Sequence, residues 1–320
     1  MASDPDPRRT VAASVSPEAA AILRMVGAAL AAMPPREPPA SLADFDAANA
    51  RGAAFAEMIS PGPLAALAPV VEVGQAGGVP ILGVTPRGSW AGAAPLVYVH
   101  GGGFVGGSAH ANLLTAAVAA ATSGRMVYSI DYTLAPRARW DTILDQVAAA
   151  WLDVAGRGGP AMGLIGDSAG ACIALAASLR LRDRGAVMPA ALVVLSPVVD
   201  LTGGGDTNTT LAAVDYLDRR MLEPALRAYA DPADWANPLV SPIHADFAPG
   251  FPPTLIQAGT RETLLSDAVR LHRALRAAGC DARLDLYEGM PHVFQPMLAE
   301  TPEGRTAWAE MAAFWADHLV

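Results

Sequence analysis

Gly166-Asp167-Ser168-Ala169-Gly170 sets a hydroxyl between two glycines in the pattern G-x-S-x-G, after an apolar run at 162–165 and before a helix-compatible stretch at 171–184. In that setting the serine sits on a tight strand-to-helix turn with its hydroxyl projecting from the end of a sheet, placed for nucleophilic attack. The glycines are needed because the turn brings backbone segments too close for side chains. Ala169 opens the helix, so its N–H faces the space where an oxyanion would form.

Upstream, the apolar run 95–99 leads directly into His100-Gly101-Gly102-Gly103-Phe104. A glycine run after a strand exposes bare N–H groups, the donors that a tetrahedral oxyanion requires. The same residues carry a competing pattern. Gly101, Gly103 and Gly106 spell G-x-G-x-x-G, and Asp131 ends the next apolar run, where a ribose-binding carboxylate would stand. The helix there starts only after Ser108 or His110, too late for the last glycine to lie in its first turn. A dinucleotide site would also leave the serine motif unexplained.

A serine nucleophile needs a base, and the base needs an orienting carboxylate. Six histidines are present: His100, His110, His244, His272, His292 and His318. In a strand–serine–helix architecture the acid and then the base follow the serine, on loops after later strands. His100 and His110 precede Ser168, His272 sits mid-helix, His244 lies in a proline-rich segment, and His318 is at the C-terminal end. His292 follows an alternating strand at 282–287 and the breaker Glu288-Gly289-Met290-Pro291, which makes it the expected base. The acid belongs after the preceding strand, 253–258, where the loop offers Glu262 and Asp267. Glu262 is nearer the strand end and is preferred. Asp267 remains the alternative, although an acid in a first helical turn also serves the helix dipole. His100 is expected to hydrogen-bond within the glycine loop, and Asp167 to anchor the nucleophile turn.

Composition narrows the field. The chain has 320 residues, 52% hydrophobic content and a net charge of −9, so it buries a large core and has no basic surface for a phosphate backbone. All 22 basic residues are arginine; without lysine there is no Schiff-base chemistry and no P-loop. Cys172 and Cys280 make neither a disulfide framework nor a metal site, and no cluster has zinc spacing. No cofactor and no metal are expected. The N-terminus lacks a secretory pattern and no window is long and apolar enough to span a bilayer, so a cytoplasmic protein is expected.

Strands alternating with helices from about residue 69 predict an α/β architecture with a mostly parallel sheet. Residues 1–15 read as unstructured. Ser16-Pro17-Glu18 opens a helix through about Met33, ended by the prolines at 34–39, and a second helix covers 42–59. Another interruption, between Pro197 and Pro252, holds a polar glycine-rich stretch and helical residues near 217–229. These two segments, 1–60 and about 201–240, are expected to meet as a cap over a catalytic domain spanning 61–320.

HGGGF, GDSAG, DYTLAP at 131–136 and NPLVSP at 237–242 together resemble the hormone-sensitive-lipase family of α/β-hydrolases, mainly bacterial carboxylesterases, from about residue 65 to the end. The resemblance implies an eight-stranded mostly parallel sheet flanked by helices, with a helical cap. It implies Ser168 as nucleophile, His292 as base, and an oxyanion hole from the Gly102, Gly103 and Ala169 N–H groups. It also implies an acid about thirty residues before the histidine, which points to Glu262, though aspartate is commoner there. Arg137 is a departure, since relatives usually carry glutamate after that proline. The expected activity is hydrolysis of short-to-medium acyl esters through an acyl-enzyme. A lactone or amide hydrolase on the same triad is the alternative, as is a non-catalytic small-molecule-binding protein on the scaffold. The expected partner is a small ester, without nucleic acid or membrane insertion, and the family implies a homodimer paired through a sheet edge.

Overall fold

The computed structural model describes residues 10–32, 37–88, 92–158, 162–217, 219–247 and 250–319. Three helices come first: α1 (Pro17–Ala32), α2 (Leu42–Ile59) and α3 (Pro61–Leu67). The antiparallel pair β1 (Val70–Ala76) and β2 (Val79–Thr85) follows. Strands and helices then alternate through β3 (Leu96–Val99), α4 (Leu113–Ser123), β4 (Val127–Ile130), α5 (Trp140–Gly158), β5 (Gly163–Asp167), α6 (Ala169–Asp183) and β6 (Ala191–Leu195). Two helices, α7 (Thr207–Thr210) and α8 (Arg219–Tyr229), interrupt the pattern. It resumes with β7 (Thr254–Gly259), α9 (Leu265–Ala277) and β8 (Ala282–Tyr287), and closes with α10 (Phe294–Met297) and α11 (Pro302–His318).

Among the described residues the eight strands form one sheet in the order β1-β2-β4-β3-β5-β6-β7-β8. Antiparallel pairing is confined to β1–β2 and β2–β4; every pair from β4 to β8 is parallel. The central strands are short apolar runs buried on both faces, as a parallel sheet covered by helices requires. Alternation sorts their side chains. Val97 and Val99 of β3 pack toward α5 and α6, with Leu144, Val147 and Trp151 among the neighbours. Leu96 and Tyr98 pack on the other face toward α4 and α11, with Ala116, Trp308 and Trp315. The expected architecture is therefore the one present.

The N-terminal helices match their expected spans, and their caps explain why they start where they do. Ser41 and Asp44 form a reciprocal capping box on α2, and Ser16 Oγ accepts from Ala19 N on α1. One expectation changes. Residues 1–9 and the helix end at 33–36 lie outside the described residues, but 10–15 are not structureless: Val15 is buried with Leu23, Phe294 and Leu298 in a third apolar cluster. The carboxylate of Glu303 on α11 accepts from Ser16 N and Oγ and holds this end down.

Candidate active site

The turn that carries Ser168 is one residue long. β5 ends at Asp167 and α6 begins at Ala169, leaving Ser168 at φ 52°, ψ −119°, a region that costs a side chain of order 1–3 kcal/mol. The surroundings hold it there. Ser168 N donates to Leu195 O at 2.8 Å, and Val198 N donates to Ser168 O at 3.2 Å. The flanking glycines are required by contact: a Cβ on Gly170 would run into the carbonyl oxygens of Val99 and His100, and one on Gly166 into that of Gly170.

His292 follows β8 and reaches the serine. Its Nε2 lies 2.9 Å from Ser168 Oγ, and its Nδ1 lies 2.9 Å from Glu262 Oε2. Glu262 is fully buried, and its other oxygen accepts from Gly259 N at 2.7 Å. The ends of β7 and β8 are tied together by Thr260 N donating to Tyr287 O and Arg261 N to Met290 O. Val293 N donates to Ser196 Oγ at 3.0 Å, fixing the residue after the imidazole. Burial opposes a charged imidazole, but the hydrogen bond and charge of Glu262, helped by the charges of Asp215 and Asp167, outweigh it. His292 titrates above the ordinary imidazole range. Asp267 does not meet His292. Its Oδ2 accepts from Val199 N at 2.9 Å and Asp200 N at 3.2 Å, and burial pushes its carboxyl up to about 7. The other described histidines also lie off the serine: His244 stands 4.0 Å from Asp200, and His272 and His318 ride on α9 and α11.

The glycine loop after β3 completes the constellation. Among the described residues no protein acceptor meets the N–H of Gly102, Gly103 or Ala169. Gly102 adopts φ +117°, and a Cβ there would strike the backbone of Gly106. Asp167 joins this loop to the Ser168 turn: its Oδ1 accepts from Gly101 N at 3.0 Å and from Tyr98 Oη at 2.5 Å. His100 is fully buried, stacks on Tyr132 with centroids 4.4 Å apart, and meets Gly101 O through Nδ1 at 2.8 Å. Burial lowers its pKa, so it stays neutral. Asp131, the carboxylate a dinucleotide site would use, accepts from Ala109 N instead, and α4 starts only at Leu113. Cys172 is buried in α6 with its thiol pushed upward by burial, the state of a packed side chain.

Two cavities meet at Ser168. The narrower, about 220 Å³, runs past Phe104, Leu201, Leu226, Trp235 and Leu264. The wider, about 410 Å³, is bordered by Phe45 and Ala48 of α2, Val105 and His292. Gly103, Leu217 and Leu222 line both. Helix α2 is fastened to the glycine loop by Gly107 N donating to Asn49 Oδ1 at 2.8 Å, and to the segment between β4 and α5 by a two-pronged ion pair of Arg137 with Asp46 at 2.6 and 2.7 Å. Arg137 therefore has its own partner in this chain. Sequence reasoning missed Tyr98, Asn49, Asp215, Leu217 and Leu222. Tyr98 carries only a strand signal, and the others sit in helical or irregular stretches whose contacts are all distant in sequence.

A serine on a one-residue turn above a mostly parallel eight-stranded sheet, with histidine and carboxylate on the loops after the last two strands, defines an α/β-hydrolase. A family model described as an alpha/beta hydrolase fold matches residues 96–296. An acetyl-hydrolase of Streptomyces hygroscopicus is 35% identical over 222 residues, which is 68% of this chain and 74% of that protein. An esterase of Acinetobacter venetianus is 33% identical, covering 68% of this chain and 73% of its own. A crystal structure of an esterase from the bacterial hormone-sensitive lipase family superposes with a TM-score of 0.85 at 31% identity, covering 95% of this chain and 99% of that one. The chain belongs to the hormone-sensitive-lipase family of α/β-hydrolases.

Proposed function

We propose that this protein, a carboxylic ester hydrolase, cleaves short-to-medium acyl esters through a Ser168–His292–Glu262 triad and an acyl-enzyme. The observation that carries the reading is the unbroken hydrogen-bond chain from Glu262 through His292 to Ser168, ending where two cavities join. His292 takes the hydroxyl proton as Oγ attacks the ester carbonyl, and Glu262 holds the imidazole with Nδ1 protonated and stabilises the imidazolium. The Gly102, Gly103 and Ala169 N–H groups receive the oxyanion, each contributing about 3 kcal/mol in the transition state. His292 then gives its proton to the departing alcohol, and water, deprotonated by the same imidazole, releases the acid. His100 and Asp167 hold the donor loop.

The leaving alcohol must lie beside its proton donor. His292 borders only the wider cavity, so the alcohol occupies that side and the acyl chain enters the narrower one. An apolar cavity of about 150 Å³ holds benzene; a space of about 220 Å³ suits acyl chains of short-to-medium length. Helix α2 and the segment carrying α8 act as the cap that closes over both cavities and excludes water.

Hydrolysis of p-nitrophenyl esters from acetate to laurate, with wild type and Ser168→Ala in parallel, tests the reading. Turnover of the shorter esters by wild type alone supports it. Activity retained in the variant removes Ser168 as nucleophile, and an inert wild type that still binds small molecules favours a non-catalytic scaffold.

A further inference from the structure

Asp215 lies in the segment between β6 and α8, is 2% exposed, and hydrogen-bonds to neither Ser168 nor His292. Its Oδ2 accepts from both the backbone N and the Oγ1 of Thr263, at 2.5 and 2.7 Å. Thr263 is the residue after Glu262. The remaining polar atom of Thr263, its carbonyl oxygen, accepts from Thr207 Oγ1 at 2.8 Å, so all of its hydrogen-bonding groups are gripped by the same segment. Thr207 Oγ1 also accepts from Ser266 N at 2.8 Å, and Thr207 N donates to Ser266 Oγ at 3.0 Å. The loop that carries Glu262 is thus built against the 207–217 segment as well as against its own strand.

The other side of Asp215 faces the cavities. Its Oδ1 accepts from Leu217 N at 3.1 Å, and Leu217 lines both cavities. Between them, Tyr216 packs on the apolar cluster that includes Leu23 of α1 and Phe294. Three consecutive residues therefore reach the acid loop, the N-terminal helix and the cavity wall.

We infer that Asp215 is a positioning residue, which holds the Glu262 loop in register with His292 and couples that register to the cavity wall through Leu217. The inference rests on the triad reading. A buried carboxylate spread over two donors of one threonine and one of a wall residue keeps its geometry only if all three stay in place. Loss of Asp215 removes two of the three hydrogen bonds that hold Thr263, lets the Glu262 carboxylate drift, and loosens Leu217 at the same time. The Asp215 charge also acts on His292 directly, on the same side as Glu262 and Asp167; Arg261 is the neighbouring cation on the loop.

The test uses Asp215→Ala, Asp215→Asn and Thr263→Val beside wild type and Ser168→Ala. It reads kcat and KM on p-nitrophenyl butyrate, the pH profile of kcat/KM, labelling of Ser168 by a fluorophosphonate, and the melting temperature. Misplacement of a catalytic group by an ångström costs up to about a hundredfold in rate. Asp215→Ala is expected to lower kcat by about tenfold to a hundredfold, with phosphonylation of Ser168 slowed in parallel. Thr263→Val, which keeps the backbone donor, is expected to lose less. Asp215→Asn is expected to move the acid limb of the profile to lower pH, because an anion that favours imidazolium is gone. A fall in melting temperature with kcat, labelling rate and acid limb unchanged would overturn the inference and leave Asp215 a packing residue. If Asp215→Ala does not fold, Thr263→Val and Asp215→Asn decide the matter by the same readouts. Failure of the triad reading looks different: there wild type and Ser168→Ala behave alike on every ester and with the probe.

Discussion

Replacing Glu262 by glutamine removes one charge and keeps the shape. The carboxylate is fully buried, 2.9 Å from His292 Nδ1, and a separation of about 4 Å between delocalised charges is the scale used for the Coulomb energy. At an effective dielectric of about 20, two unit charges at that separation interact by about 4 kcal/mol. That attraction exists only once His292 becomes imidazolium, so it acts on the transition state. Each 1.36 kcal/mol is tenfold in rate, which gives a loss of about three orders of magnitude in kcat with KM little changed. An amide that turns its NH2 toward Nδ1 also selects the wrong tautomer and adds to the loss. Asp267→Asn is the control: its oxygen can still accept from Val199 N and Asp200 N, and activity is expected to stay within a few-fold of wild type. The assay is initial-rate hydrolysis of p-nitrophenyl butyrate at pH 8, with circular dichroism to confirm folding. Retention of more than about a tenth of wild-type kcat by Glu262→Gln, with a collapse of Asp267→Asn, would refute the reasoning and move the acid to Asp267.

Three further outcomes follow from the same geometry. The wild-type kcat/KM should rise with pH through a midpoint above the ordinary imidazole value of about 6.5, because the base must be neutral and His292 titrates high; in Glu262→Gln that midpoint should fall. Asp267 carries the opposite kind of linkage. Its folded pKa is pushed up by burial to about 7, so its contribution to stability is greatest below its unfolded pKa near 4 and is lost as pH rises toward 7. Asp267→Asn should therefore gain in melting temperature relative to wild type between pH 4 and pH 8, and a constant difference across that range would contradict the burial argument. Leu226→Trp fills the narrower cavity and should cut rates on butyrate and longer esters by at least about tenfold relative to acetate; a loss that follows the alcohol instead would reverse the assignment of the two sides.

Local chemistry was legible wherever a motif closes on itself within a few residues. G-x-S-x-G announces a strand-to-helix turn because only that turn demands glycine on both sides of the serine, and Gly166 and Gly170 prove to be positions where a Cβ has no room. The alternation at 282–287 and the breaker after it located His292, and strand proximity favoured Glu262 over Asp267. The same reasoning dismissed the G-x-G-x-x-G pattern, since α4 starts at Leu113. The unstructured reading of 10–15 failed because those few residues have no pattern of their own. Val15 is buried only because α11 and the turn after β8 supply the other half of its cluster.

By itself, the sequence determined the strand–helix alternation, the turn that carries Ser168, the glycine loop after β3 and the place of His292 after β8, since each depends on backbone conformation and periodicity over a short window. Tertiary structure alone decided which carboxylate faces His292, that Tyr98 and Gly101 share Asp167 with the Ser168 turn, and that Arg137 reaches Asp46 on α2. It alone brought Asp215 onto the residue after Glu262 and set Leu217 and Leu222 where two cavities join. These partners lie dozens of residues apart, and a carboxylate in an irregular stretch looks the same in sequence whether it faces water or a buried threonine. Only the packing of one segment on another removes the water that would otherwise satisfy it.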